Sequence, residues 1–367
     1  TRKLLEESID LHLISDAPLG VFLSGGLDSS AIAALSAKVL REGEADRKIS
    51  TLSIIFDEPE FSEQKYQRLV VDRIKSNHKE IKITKEDFKN GFEEIFEAMD
   101  QPTIDGVNTY FVSRAAKQAG LKTVLSGLGA DEIFLGYSHF RKAEFLRKIQ
   151  NLPQFVKFPL GIFSLFSGRL AKLNYLKNNS PIHFYLSIRG LFAPKEIAKI
   201  LDINLSEVED FIKKLQIEQL QHLQQLEQLC PADLLSYLEL KFYLQNQLLK
   251  DTDFMSMRHS VEVRVPFLDH KLIEYVSSLP PNLKLNMGKS DFPNIDDNFR
   301  RSDFQKLNKP LLVAAVRDLL PQEIFSRPKM GFTFPFQKWL SSNVKGQMSN
   351  VKTHWSRFWA KKVLDKF

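Results

Sequence analysis

Val21-Phe22-Leu23-Ser24-Gly25-Gly26-Leu27-Asp28-Ser29-Ser30-Ala31 is an apolar run that breaks on two glycines and resumes as an Ala-rich stretch. That pattern reads as a buried strand, a tight turn and a helix start. A helix N-terminus carries unpaired N–H groups and the positive end of the dipole, so it binds phosphate. Gly25 and Gly26 let the backbone approach an anion closely, and Ser24, Ser29 and Ser30 add hydroxyl donors. Asp28 is an acid in a phosphate site, which makes sense if it ligates a cation that bridges phosphate oxygens; Mg2+ is the natural choice. The segment lacks the Lys-Ser/Thr pair of a Walker loop.

The rhythm continues on both sides of this loop. Gly20–Leu23, Ser50–Phe56, Glu80–Ile83 and Lys122–Leu125 read as strands. Asp28–Leu40, Ser62–Ser76 with Ser62 as N-cap, a Thr84-capped stretch to Met99, and Val107–Gly120 with Gly120 as C-cap read as helices. Alternating strands and helices predict an α/β fold with a parallel sheet and helices on both faces. Beyond about residue 138 the strand signals fade. Leu201–Tyr243 has helical spacing almost throughout, Met287–Arg301 is polar and reads as a loop, and the basic, aromatic tail Trp355–Phe367 reads as a surface helix. The expected organisation is a nucleotide-binding core over residues 1–140 and a mainly helical part over 141–367 that completes the site.

A second loop follows the fourth strand: Leu125-Ser126-Gly127-Leu128-Gly129-Ala130-Asp131-Glu132-Ile133-Phe134-Leu135-Gly136-Tyr137. Loops at the carboxyl ends of neighbouring parallel strands meet at one crevice, so Asp131 is expected beside Asp28 around one metal. The first loop resembles the S-G-G-x-D-S signature of the ATP-pyrophosphatases, which cleave ATP between the α and β phosphates. Together the two loops resemble the synthetase domain of glutamine-dependent asparagine synthetases. Met255–Asp269, M-S-M-R-H-S-V-E-V-R-V-P-F-L-D, and Arg327-Pro328-Lys329-Met330-Gly331-Phe332 extend the resemblance in order along the chain.

The resemblance implies a PP-loop (adenine nucleotide α-hydrolase, HUP-like) fold and a ligase reaction. A carboxylate, aspartate in the family, attacks the α-phosphorus of ATP; ammonia derived from glutamine then displaces AMP. By position, Ser24, Gly25, Gly26, Asp28 and Ser29 hold pyrophosphate, and Asp28 and Asp131 hold Mg2+. Leu23, Ile54, Ser126 and Gly127 line the nucleotide, largely through backbone, and Lys329 neutralises charge that builds on the phosphates. Glu262 is a further catalytic candidate toward the substrate; the competing reading pairs it with Arg264 on one strand face.

Two positions depart from the family pattern. Leu128 stands where that family usually has a glutamate, and Ile104 where it has a carboxylate-binding arginine, which leaves Arg114, Arg258 or Arg264 to hold an acceptor's charge. The acceptor is therefore either aspartate or the carboxylate of a related adenylating ligase, such as a β-lactam-forming one. An RNA-modifying pyrophosphatase is disfavoured by the single cysteine, Cys230, and by scattered charge; a non-catalytic scaffold is disfavoured by the presence of Asp28, Asp131 and Lys329.

The 367 residues carry 43% hydrophobic and 26% charged side chains with a net charge of +6, as expected of a globular protein with a real core. No run of like charge points to nucleic acid. The most apolar run, Phe158–Phe166, is too short to span a bilayer, so no membrane partner is expected. One cysteine permits no intrachain disulfide, which points to a reducing, cytoplasmic setting; Cys230 is expected to be packed or half-buried. The expected partners are a small-molecule carboxylate, ammonia, a glutaminase domain or subunit missing from this chain, and a second copy in a homodimer.

Overall fold

The computed structural model describes residues 1–43, 47–157, 170–220, 223–286, 307–341 and 355–366. The expected loop Met287–Arg301 and the apolar run Phe158–Phe166 lie outside the described residues. The chain divides into two compact units, Thr1–Gly136 with Tyr243–Phe367, and Tyr137–Phe242.

The first unit is built on five parallel strands, β1 (Leu19–Phe22), β2 (Ser50–Ile55), β3 (Asn77–Lys82), β4 (Thr123–Leu125) and β5 (Glu262–Arg264), in the order β3-β2-β1-β4-β5. Val21 of β1 lies between Thr51 of β2 and Leu125 of β4. The chain winds from β1 through β2 to β3 in one direction and then crosses to β4 in the other. The loops after β1 and β4 therefore flank a topological switch point, where open parallel sheets bind their ligands. Val21, Val124 and Leu125 are fully buried, as expected where both faces of a parallel sheet are covered.

The helices α1 (Arg2–Leu13), α2 (Leu27–Gly43) and α3 (Gln64–Ile74) pack on one another, and α4 (Lys85–Asn90), α5 (Phe92–Ala98) and α6 (Gly106–Gln118) lie along the chain before β4. Every residue of α2 from Ser29 to Ala37 is buried; its small side chains let it sit close to its neighbours on all sides. Thr84 caps α4 as expected, accepting from the Asp87 amide at 3.2 Å while Asp87 accepts from the Thr84 amide at 2.9 Å. Gly91 separates α4 from α5, where one helix was expected. The N-cap of α3 is Glu63 rather than Ser62, whose hydroxyl reaches the Gln64 amide at 3.5 Å. β3 begins at Asn77, ahead of the expected Glu80, because its polar residues mask the strand pattern.

The helical second half is not one body. From Tyr243 the chain rejoins the first unit and supplies β5, so the expected division at residue 140 gives way to a unit with an insertion. A three-residue edge strand is too short to show its period in the sequence. In the second unit the helices Pro181–Arg189, Leu205–Gln219 and Pro231–Leu238 bury Phe184, Val208, Ile212, Leu234 and Leu235. The long helical spacing of Leu201–Tyr243 is broken at Pro231, before which Cys230 takes the N-cap position. Cys230 is exposed, contrary to expectation, at the N-cap, where its thiol donates to Asp233 at 3.2 Å.

The basic tail is likewise not a surface helix. Trp359 is 2% exposed; it meets Phe96 in a stacked pair at 5.3 Å and Phe92 edge-on at 5.6 Å, and its indole donates to the Thr103 carbonyl at 3.3 Å. These rings join Phe88, Phe111, Phe334, Phe336 and Trp339 in one aromatic core under β2 and β4. The tail's lysines hid a buried stripe, since Lys side chains cover apolar surface while keeping their charge in water. Trp359→Ala should cost about 3–5 kcal/mol of stability, read as a lower denaturation midpoint in urea; a surface helix would show almost no loss.

Candidate active site

β1 ends in the turn that the sequence reading singled out. The Leu23 carbonyl accepts from Ser53 Oγ at 2.6 Å, and Gln67 Nε2 reaches the carbonyls of Ile54 at 3.3 Å and Ser24 at 3.5 Å. These bonds fix the ends of β1 and β2 side by side. Leu23 and Ile54 are almost wholly buried, and the Leu23 amide donates to the Leu52 carbonyl at 2.8 Å. Ser24 and Ser29 close the loop on each other, with hydroxyls 2.9 Å apart and the Ser24 amide donating to Ser29 Oγ at 3.1 Å. The first hydrogen bond of α2 runs from the Ser30 amide to the Gly26 carbonyl at 3.1 Å. The amides of Leu27, Asp28 and Ser29 thus have no acceptor within the helix, and they form an anion-facing end. Gly25 has φ +83°, a conformation that favours glycine.

The second loop presses directly on the first. The Ser126 amide donates to the Arg264 carbonyl at 2.8 Å, which pins the loop to β5. A Cβ added to Gly127 would stand 2.9 Å from Asp28 Cβ and 3.0 Å from the Ser29 amide nitrogen. Only glycine lets the two loops approach this closely, and the result is that Asp28 and Asp131 converge.

What they converge on is a residue that the sequence reading missed. Lys309 is 2% exposed, and its ammonium donates to both oxygens of Asp28 and lies 2.8 Å from Asp131 Oδ1. Lys329 donates to the same Asp131 oxygen at 2.5 Å and to the Gly136 carbonyl at 3.2 Å. Two acids and two lysines form one cluster whose charges cancel. Burial pushes the Asp28 carboxyl above the ordinary range, and the neighbouring Asp131 charge adds to this against the pull of Lys309. Burial also opposes ionisation of Asp131, but Lys309 and Lys329 together bring it down to about 2. Lys309 stays charged: burial opposes this, yet Asp131 and Asp28 hold its pKa above the ordinary value. Its backbone is left-handed (φ 54°) immediately before Pro310, an unfavourable conformation for a non-glycine residue. In the sequence, Lys309 is one of many lysines and belongs to no motif that was recognised.

Arg327 is a second group whose role was not foreseen. It donates to the Gly25 carbonyl at 3.1 Å, pairs with buried Glu63, and lies over the Tyr66 ring at 4.1 Å. It therefore clamps the phosphate loop from behind.

The acidic pair suits a divalent cation. Both carboxylates meet at the Lys309 ammonium, so a metal that took both as ligands would have to displace that ammonium. Among the described residues no three His, Cys, Asp or Glu side chains gather as a metal group. Mg2+ commonly binds through one or two carboxylates, with phosphate oxygens and water completing its shell, so two acids suffice.

Glu262 is not brought to this cluster. It sits at the start of β5, 59% exposed in its side chain, and Arg264 binds it at 2.8 Å. It is level with Thr123, at the end of β4 away from the second loop. The structure shows the strand-face pair with Arg264 and does not place Glu262 among the Asp28–Asp131 cluster. The three arginines considered for the acceptor are also committed elsewhere. Arg114 pairs with Asp87 at 3.0 Å, Arg258 with Glu97 at 2.9 Å, and Arg264 donates to the carbonyls of His12 and Ile14.

α6 leads back into β4, so its first turn lies at the carboxyl end of the sheet with the two loops. Asn108 there donates to the Phe332 carbonyl at 3.2 Å, three residues beyond Lys329. Ile104 packs against the aromatic core. Asp105 accepts from Tyr243 at 3.0 Å and from Gln247 at 2.7 Å. Buried Asp251 accepts from Thr103. Burial, reinforced by the Asp105 charge, raises the Asp251 carboxyl to about 7, with Thr103 and Gln101 opposing.

A parallel sheet with a glycine loop and converging acids at its switch point is an α/β domain of the PP-loop type. The chain belongs to the asparagine synthase family, whose model, described as "Asparagine synthase", matches residues 1–367. It is 26% identical over 358 residues to "Asparagine synthetase (glutamine-hydrolyzing) 1" of Bacillus subtilis, covering 95% of this chain and 51% of that protein. It is 27% identical over 353 residues to "Putative asparagine synthetase (glutamine-hydrolyzing)" of Mycobacterium tuberculosis H37Rv, covering 92% and 48%. "Amidase chry2" of Gibberella zeae is 24% identical over 386 residues, covering 96% and 54%. The chain thus spans about half the length of the curated relatives it matches.

Lys309→Met should destabilise the protein by about 3–5 kcal/mol, the usual cost of leaving a buried charge without its partner. Adding Asp28→Asn should restore part of that, measured by thermal unfolding. Asp251 has a folded pKa (about 7) above its unfolded value, so the folded state keeps a proton that the unfolded chain has released. Its contribution is full below about pH 4 and is lost as pH rises through about 7, by at most about 1.4 kcal/mol per pH unit. Asp251→Asn should flatten stability against pH in that window.

Proposed function

We propose that this chain is the synthetase part of an ATP-dependent amide ligase that activates a carboxylate by adenylation. The observation that carries this reading is the meeting of Asp28, Asp131, Lys309 and Lys329 beside the glycine loop of β1. A site that neutralises two acids with two lysines is poised to exchange internal ion pairs for a phosphate chain. ATP is the substrate whose phosphates fit the amide-rich start of α2.

In this reading a carboxylate oxygen attacks the α-phosphorus of ATP, the bond to the β-phosphate bridging oxygen breaks, and pyrophosphate leaves with the electron pair. Lys329 and Lys309 offset the charge that builds on the leaving oxygens. Asp28 and Asp131 would hold Mg2+, which would supply charge neutralisation on the phosphates. Arg327 keeps the loop in shape through the Gly25 carbonyl. Ammonia then attacks the acyl carbon, AMP leaves, and the nitrogen loses a proton to give the amide. Family membership supports aspartate as the acceptor and asparagine as the product, with glutamine as the nitrogen source through a glutaminase domain or subunit. A cytoplasmic setting and a homodimer accompany this reading. No described helix is long and apolar enough to cross a membrane.

A second reading, a related ligase on another carboxylate, such as one in polysaccharide or secondary-metabolite modification, is favoured by the acceptor end. Leu128 can neither accept a proton nor bind ammonium, Ile104 is packed into the aromatic core, and Arg114, Arg258 and Arg264 have other partners. Relatives named as amidases in two fungi are consistent with it.

ATP–pyrophosphate exchange with Mg2+ and each carboxylate in turn tests both readings. Exchange that depends on aspartate supports the first and exchange with another acid the second, whereas no exchange with any acid in the presence of a glutaminase partner rejects adenylation. Lys329→Met should lower the exchange rate roughly 10²–10³-fold, the scale of losing one transition-state donor, with little change in thermal stability because Lys329 is a third exposed.

A further inference from the structure

At the far end of α2 from the phosphate loop lies a cleft of about 450 Å³ between α1, α2, α3 and the turn at Asp318–Leu319. From Asp28 the helix rises about 9 Å to Ala34, the nearest lining residue on it, and about 20 Å to Arg41, and the cleft shares no residue with the acidic cluster. Its volume is within the range of small-molecule sites, roughly 300–1,000 Å³.

The rim carries Arg2, Lys38, Arg41 and Arg73. Two of these are spoken for: Arg2 binds Glu6 at 2.9 Å and Asp318 at 2.6 Å, and Lys38 binds Glu6 at 2.8 Å and Glu42 at 3.0 Å. The other two differ in kind. Arg41 donates to the Ile74 carbonyl, and Arg73 donates to the carbonyls of Asp318 at 3.0 Å and Leu319 at 3.4 Å. Carbonyl oxygens orient a guanidinium but do not neutralise it. Four cations against Glu6, Glu42 and Asp318 leave one net positive charge; a guanidinium has five N–H donors, of which these carbonyls engage one on Arg41 and two on Arg73. Ala37, Ile74 and Leu319 give the cleft an apolar wall beside this rim.

We propose that this cleft binds a phosphorylated small molecule, its phosphate held by Arg41 and Arg73 and its less polar part against Ile74 and Leu319. Arginine is the side chain suited to bidentate grip of phosphate. The carbonyl contacts hold both guanidiniums in place beforehand, which lowers the entropy cost of binding.

The test is calorimetric titration of the purified chain with inorganic pyrophosphate and, separately, with AMP, in wild type, Lys329→Met and Arg41→Gln/Arg73→Gln. The cleft variant should lose at least tenfold in affinity for a site that survives in Lys329→Met, while its ATP–pyrophosphate exchange and thermal midpoint stay within twofold and a few degrees of wild type. Unchanged binding by Arg41→Gln/Arg73→Gln would overturn the proposal. So would equal affinity for sulfate, which would mark the cleft as binding an adventitious ion only. Should the double variant unfold, Arg73→Lys, which keeps the charge but not the fork, gives the same discrimination: weaker phosphate binding supports the site, and unchanged binding rejects it.

Discussion

The structure turns on one buried ammonium. Lys309 sits where two carboxylates from different loops would otherwise repel each other, and it makes their convergence affordable in free-energy terms. Without a cation there, Asp28 and Asp131 would have to separate or take up a proton. With it, the second loop can press on the start of α2 through Gly127 while both acids stay charged. Gly136 belongs to the same arrangement, because a side chain there would collide with both Asp131 and the Lys309 stem.

This arrangement joins packing to chemistry. The aromatic core beneath β2 and β4 carries the segments that reach the site from the other side: Phe332 and Phe334 follow Lys329, and Trp359 supports Thr103 just before α6. The start of α6 thereby rests on a mostly apolar foundation, with Asp105 and Asp251 tied into hydrogen bonds. The two glycine loops are built from backbone and charge.

Much of the fold was legible because local chemistry and global architecture agree. The Gly25-Gly26 turn, the Ala-rich α2 and the Thr84 capping box each carry their structure in a few neighbouring residues. So do Asp28, Asp131 and the glycines of both loops. Lys309 was not legible, since its role comes from partners 281 and 178 positions away and no neighbouring residue marks it. The pairing of Glu262 with Arg264 was one of two readings, because an exposed ion pair and a catalytic acid look the same in sequence. The tail helix was misread because its lysines outnumber its tryptophans, although two turns of it face inward. The return of the chain at Tyr243 was hidden by the brevity of β5.

The long separation between Asp28 and Lys309 also bears on how the protein is made. At roughly 5–20 residues per second, a ribosome would synthesise the phosphate loop something like a quarter of a minute to a minute before the lysine that completes it. During that interval β1, α2 and β4 could assemble, but the two acids would face each other without their cation. In that interval the two acids can be offset only by protonation or by cations from solution.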